Sequence, residues 1–173
     1  MKMNLQAAAL LLMITGLLSF SFATDKPVSK EKSLHAPNEL KSLPSFSMMD
    51  ASGNIVNLQS FKGKKVFLNI WATWCPPCRS EIPSIEKLYK KADKEKAVFI
   101  MLAVDKSFDI ALKYANKHNM KTPLFYPAEN LPAVLYTTGI PATYIFDENG
   151  ELIKKNVGAD DYSTSAYVNM LNK

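Results

Sequence analysis

Two apolar runs, Lys65–Trp71 (KVFLNIW) and 97–104 (AVFIMLAV), stand on either side of a stretch with helical periodicity. Neither run alternates apolar with polar residues as a half-solvated strand would. Both have the length and β-rich composition of strands buried on two faces. Between them, Ile82, Ile85, Leu88 and Tyr89 recur at three- and four-residue spacing, which marks one apolar face of a helix over 76–91. Strand, helix and strand in that order call for a crossover that lays the second strand parallel to the first. The chain is therefore expected to build an α/β fold, with a central mixed sheet flanked by helices.

The rest of the chain extends this frame. Residues 45–49 and 55–58 read as short strands joined by the turn residues 50–54 (DASGN), an N-terminal β-hairpin. Ser107 is placed to cap a helix over 108–118, and a short strand is expected at 124–126. One or two helical turns fit 130–136, and a strand fits 142–147. Asn149-Gly150 suits a type I′ hairpin turn, with its return strand over 151–157. Asp160 or Asp161 is expected to cap a last helix that ends near Leu171. Pro76 suits a first helical turn, whereas Pro83 predicts a kink.

Composition removes several function classes. With 47% apolar and 21% charged residues in 173, neither wholesale disorder nor a polytopic membrane protein fits. A net charge of +5 without a concentrated basic stripe argues against nucleic acid as a partner. Lys87, Lys90, Lys91, Lys94 and Lys96 gather at the end of the first helix, where they complement its dipole as a solvated face. Contact with an anionic membrane surface is the alternative for them.

The first residues read as an address. Lys2 precedes the uncharged apolar run 7–23, which ends in Ser21-Phe22-Ala23. This is the layout of a secretory signal peptide over 1–23, cleaved before Thr24; a retained N-terminal membrane anchor is the alternative. Residues 24–42, polar and containing Pro27 and Pro37, read as a linker, and the domain is expected to span 43–173. Both readings place the domain outside the cytoplasm, periplasmic or otherwise extracytoplasmic.

The chain has two cysteines, Cys75 and Cys78, between the first strand and the helix. A bridge across a two-residue gap removes little chain entropy and makes a poor staple, so chemistry explains the pair better. A helix N-terminus favours a thiolate, which assigns Cys75 as the nucleophile and Cys78 as the resolving thiol, with a redox-active Cys75–Cys78 disulfide as the product. Resolution requires Cys78 to lose its proton. Glu81 lies one turn along the same face; buried, it serves as proton acceptor, and exposed, it is an ordinary helix glutamate. Zinc would need further ligands, and His35 and His118 do not supply the spacing, so no metal is expected. Both histidines read as surface residues.

The run Trp71-Ala72-Thr73-Trp74-Cys75-Pro76-Pro77-Cys78 resembles the active site of the thioredoxin superfamily, and Gly139-Ile140-Pro141-Ala142-Thr143 resembles that fold's cis-proline loop. The resemblance implies a thioredoxin-like fold with Pro141 in the cis role and Ile140 pairing with substrate. Trp74, Pro76 and Pro77 would complete the substrate surface, while Trp71 packs. Tyr126 and Tyr136 are further candidates to line the site.

The signal segment, the hairpin, the extra segment over 107–126 and the position of Glu81 resemble the exported TlpA/ResA-like thiol–disulfide oxidoreductases. That branch places a functional buried acid where Glu81 stands. It implies disulfide-containing exported proteins as substrates, apocytochrome c among them. It also implies a membrane thiol-transfer protein as electron donor, a monomer, and no cofactor.

Two departures bear on the chemistry. Thioredoxins of the cytoplasmic type carry a buried aspartate where Asn69 stands, which shifts weight to Glu81. Pro76 removes an N–H near the Cys75 sulfur, so the potential is expected nearer the reducing end of a range of roughly −270 to −120 mV. Three other functions compete with this one. A disulfide oxidase or isomerase would use the same residues with opposite electron flow. A peroxiredoxin-like peroxidase wants Thr or Ser where Ala72 stands. A metal-binding module wants a wider cysteine spacing.

Overall fold

The computed structural model describes residues 40–173. The expected signal segment 1–23 and most of the linker 24–42 lie outside them. Seven strands form one mixed sheet: β1 (Ser47–Asp50), β2 (Ile55–Asn57), β3 (Lys65–Trp71), β4 (Ala97–Ala103), β5 (Leu124–Pro127), β6 (Ala142–Phe146) and β7 (Leu152–Val157), in the order β2-β1-β5-β4-β3-β6-β7. The helices are α1 (Pro76–Lys91), α2 (Phe108–Lys117) and α3 (Ser165–Asn172).

β3 and β4 run parallel in the register Lys65↔Ala97 to Trp71↔Ala103, as the two apolar runs require. β4 and β5 are also parallel, while β3–β6, β6–β7 and β1–β5 are antiparallel. The segment expected as an insertion is built into the sheet, because β5 bridges β4 to the N-terminal hairpin.

Period-two alternation divides β3 and β4 between two cores. Phe67, Trp71, Phe99, Met101 and Ala103 join buried residues of α1, α2 and α3. Phe67 stacks on Phe99 at 5.0 Å and meets Tyr162 edge-on at 5.2 Å. Val66, Leu68, Ile70, Ile100 and Leu102 face the other way, under Leu43, Phe46, Leu58 and Leu135. On that face the cover includes two 3-10 turns, Leu58–Phe61 and Ala133–Leu135. Each fully buried large apolar side chain contributes about 2 kcal/mol by leaving water. Asn69, midway along β3, points to the helical side between Phe67 and Trp71, a polar group beneath α1.

Several local expectations are corrected. The last helix begins at Ser165 with Thr164 as its N-cap, not at Asp160 or Asp161. Asp161 instead accepts from the Ser163 N–H at 2.9 Å in a turn, and Asp160 takes the Tyr167 hydroxyl. The β6–β7 connection is not type I′: Gly150 has φ 80°, but Asn149 does not share the positive φ that a type I′ turn demands. Gly150 N–H closes a turn onto Asp147 O at 3.0 Å, and the ladder shifts register just before it, between Ile145 and Phe146. Ser107 occupies the N-cap of α2, yet its side chain makes no cap bond. The helix expected over 76–91 is α1, with Pro83 inside it.

Candidate active site

Cys75 is the N-cap of α1, placed there by the end of buried β3 and a three-residue loop. Pro76 and Pro77 fill the first two helical positions, so neither offers an N–H to the sulfur. The amide of Cys78 is the first that can, and it donates to Cys75 Sγ at 3.2 Å. The two sulfurs are joined in a disulfide of 2.04 Å. Cys75 Sγ also lies 3.5 Å from the Ile140 carbonyl oxygen. A disulfide sulfur has no proton to donate, so this is a contact in the oxidised protein. Ile140 precedes Pro141 through a cis peptide bond, and Pro141 O accepts from Gly158 N–H at 2.8 Å.

The surroundings sort the other expected residues. Pro76 and Pro77 are exposed, and Trp74 is 64% exposed, so a hydrophobic rim borders the disulfide. Trp71 is fully buried against Tyr114 at 5.6 Å. Tyr126 is engaged elsewhere: its hydroxyl donates to Asp105 O at 3.0 Å and its ring stacks on Phe108. Tyr136 lies on the surface beside Thr137, Thr138, Lys155 and Val157. His118 is exposed and stacks on Tyr114, and His35 lies outside the described residues. Lys94 donates to the carbonyls of Ala92 and Tyr89, serving the end of α1 as the dipole reading expects.

Glu81 is buried. Its Oε1 accepts from Asn69 Nδ2 at 2.7 Å, and its Oε2 from Asp160 N–H at 3.2 Å. Burial disfavours the carboxylate and pushes its pKa up to about 7. The two hydrogen bonds pull downward and the Asp160 carboxylate pushes upward, but desolvation is the largest cause. A carboxyl that exchanges its proton near neutrality, one turn beyond Cys78 on the buried face, has the proton affinity that a general base needs. Behind it, Asn69 Nδ2 also donates to Thr143 Oγ1 at 2.9 Å, and Tyr162 donates to the same oxygen at 2.7 Å.

Other groups escape sequence reasoning. Asp105, buried two residues beyond β4, accepts from the N–H and Oγ1 of Thr73, the latter at 2.6 Å. This clamp fixes the loop that carries Trp74 and Cys75. Thr143, Asp160 and Tyr162 belong to the Glu81 cluster. Only Asn69 left a local signal, as the lone polar residue inside β3.

Residues 39–171 match the family described as Redoxin. The chain is similar to the thioredoxin-like protein YneN of Bacillus subtilis, with 39% identity over 66% of this chain and 69% of that one. It is similar to the thiol-disulfide oxidoreductase ResA of Bacillus thuringiensis, with 33% identity over 86% and 84% of the two chains. Among solved structures, a thiol:disulfide interchange protein of the thioredoxin family from Chlorobium tepidum superposes with a TM-score of 0.62 at 28% identity, over 79% of this chain and 99% of that one.

Proposed function

The chain belongs to the Redoxin family and is a ResA-like thiol–disulfide oxidoreductase, and from this premise we propose that it is an exported reductant of protein disulfides. The observation that carries the reading is the Cys75–Cys78 pair at the start of α1, with the Cys75 sulfur beside the Ile140 carbonyl and an exposed rim.

In the first step the Cys75 thiolate attacks one sulfur of a substrate disulfide. The substrate S–S bond breaks, a mixed disulfide forms, and the departing substrate thiolate takes a proton. In the second step Cys78 gives its proton to Glu81, and its thiolate attacks Cys75 Sγ. The mixed disulfide breaks, the second substrate sulfur leaves as a thiolate that takes a proton, and the Cys75–Cys78 bond forms. Two electrons have passed to the substrate, and the structure corresponds to the oxidised product. Ile140 and the Trp74, Pro76 and Pro77 rim would hold the substrate segment, with Pro141 shaping the loop.

Export rests on the expected signal over 1–23, with 24–42 as a tether to the domain. Apocytochrome c as a substrate and a membrane thiol-transfer protein as donor rest on the family likeness. Wild-type protein is expected to accelerate insulin reduction by dithiothreitol, and Cys75→Ser to return it to the uncatalysed rate. Equal rates for the two proteins would remove the reading.

The direction of electron flow follows from the two prolines. With no amide at the first two helical positions, the Cys75 thiolate is stabilised less than in a strong oxidant, so the pair should hold its electrons weakly. The potential is expected nearer −270 mV than −120 mV; a value above about −170 mV would favour the oxidase reading instead.

A further inference from the structure

Asn69 sits where β3 passes beneath α1, and its amide is used unevenly. The nitrogen serves two acceptors, Glu81 Oε1 at 2.7 Å and Thr143 Oγ1 at 2.9 Å. The oxygen Oδ1 is buried without a hydrogen-bond partner among the described residues. Such an orphan is a standing cost that a structure retains for a reason. Thr143 Oγ1 already receives the Tyr162 hydroxyl, and a carboxylate can only accept. Two acceptors therefore converge on one site and fix the nitrogen there while Glu81 is ionised.

Protonation of Glu81 changes half of this arrangement. The acid becomes a donor facing an amide N–H. A half turn of the amide exchanges Nδ2 with Oδ1. The oxygen then accepts from Glu81 and from the Thr143 hydroxyl, which has its own proton to give. Each setting makes two hydrogen bonds and leaves one end of the amide unpaired. The two are closely matched, and the charge on Glu81 decides between them.

We propose that Asn69 is a positioning residue for Glu81 that works as a two-state amide, offering Nδ2 to the carboxylate and Oδ1 to the acid. Its partnerless oxygen is the acceptor reserved for the protonated state. The proposal rests on Glu81 as the proton acceptor of Cys78, since that step supplies the change of charge.

Among the described residues, Asn69 of β3 and the Asp160 N–H before α3 bond the Glu81 carboxylate; Thr143 of β6 lies behind Asn69, Tyr162 bonds Thr143, Tyr167 of α3 bonds Asp160, and Cys78 stands one turn back on α1. Burial raises Tyr162 to about 12 and Tyr167 further still, so neither phenol ionises near neutrality. The Asp160 carboxylate repels that of Glu81.

The test is an NMR titration of the full chain through the neutral range. The readouts are the side-chain amide signals of Asn69 and the carboxyl carbon of Glu81. Both are expected to move together with one midpoint near 7, the value that burial gives Glu81. Asn69→Leu is expected to raise the Glu81 midpoint by about one pH unit, through loss of a charge-assisted bond. Should that variant not fold, Thr143→Val removes the second acceptor and should broaden the Asn69 amide signals. Amide signals of the wild type that stay flat while Glu81 titrates overturn the proposal. The titration is run on dithiothreitol-reduced protein as well as on the disulfide form, and thiol alkylation of the reduced samples separates the two claims. If Asn69 follows Glu81 but the Cys78 profile does not, the positioning role stands and the acceptor role of Glu81 fails.

Discussion

A Cys78→Ser variant will accumulate covalent adducts with disulfide-bearing proteins, while Cys75→Ser will accumulate none. The asymmetry follows from position along one helix. Cys75 is the N-cap, where the aligned peptide dipoles and the Cys78 amide favour a sulfur anion. Its sulfur also sits beside the Ile140 carbonyl, next to the exposed Trp74. Cys78 is one turn inward and fully buried, so it reaches only the sulfur of Cys75. With serine at 78 the first exchange proceeds and the second has no nucleophile. The chain contains no third cysteine to take its place. The expected contrast approaches all-or-none on non-reducing gels, with bands that collapse on reduction. Adducts at equal levels from both variants would mean that either sulfur meets substrate and would end the assignment of roles.

The two central strands were legible because burial on both faces leaves a nearly continuous apolar run, broken in β3 by Asn69 alone. The cysteine pair was legible because its spacing, its place between strand and helix, and a second motif near Pro141 agree. What was not legible depends on closure in three dimensions. Asn69 and Thr143 are 74 positions apart, and Glu81 and Asp160 are 79 apart, yet hydrogen bonds join each pair. No local pattern links such residues.

The start of α3 was misplaced for a related reason. Asp160 and Asp161 have the chemistry of caps, but Asp160 is held by Tyr167 and by the Glu81 contact, and Asp161 by Ser163. A tertiary partner outbids the capping role at Asp160, and a tight local turn does so at Asp161. At Asn149-Gly150 the dipeptide marked the turn correctly but not its type, since one positive φ at Gly150 suffices when the preceding residues turn without it.

Glu81→Gln should expose the cost of keeping an ionisable acid beneath α1. Its removal takes away the proton acceptor for Cys78, and resolution is expected to slow by roughly a hundredfold, within the range for general bases. The pH at which resolution becomes fast should rise, because the Cys78 thiol must then ionise unaided. Stability should respond in the opposite sense. The folded-state pKa of Glu81, about 7, lies above the ordinary carboxyl value of 4.5, so between these values the native state binds more protons than the unfolded chain. Stability therefore falls as pH rises through that window, by about 3 kcal/mol in all, and levels off above it. Glutamine carries no proton to lose, so the variant should lack this fall. The amide can keep both contacts, accepting from the Asp160 N–H and donating to Asn69 Oδ1 in its turned setting. Urea denaturation midpoints at pH 5 and pH 8 measure the difference. The same pH slope in wild type and variant would show that Glu81 keeps an ordinary carboxylate pKa. The acceptor role would then lose its chemical basis, because a carboxylate that ionises so readily is too weak a base for a buried thiol.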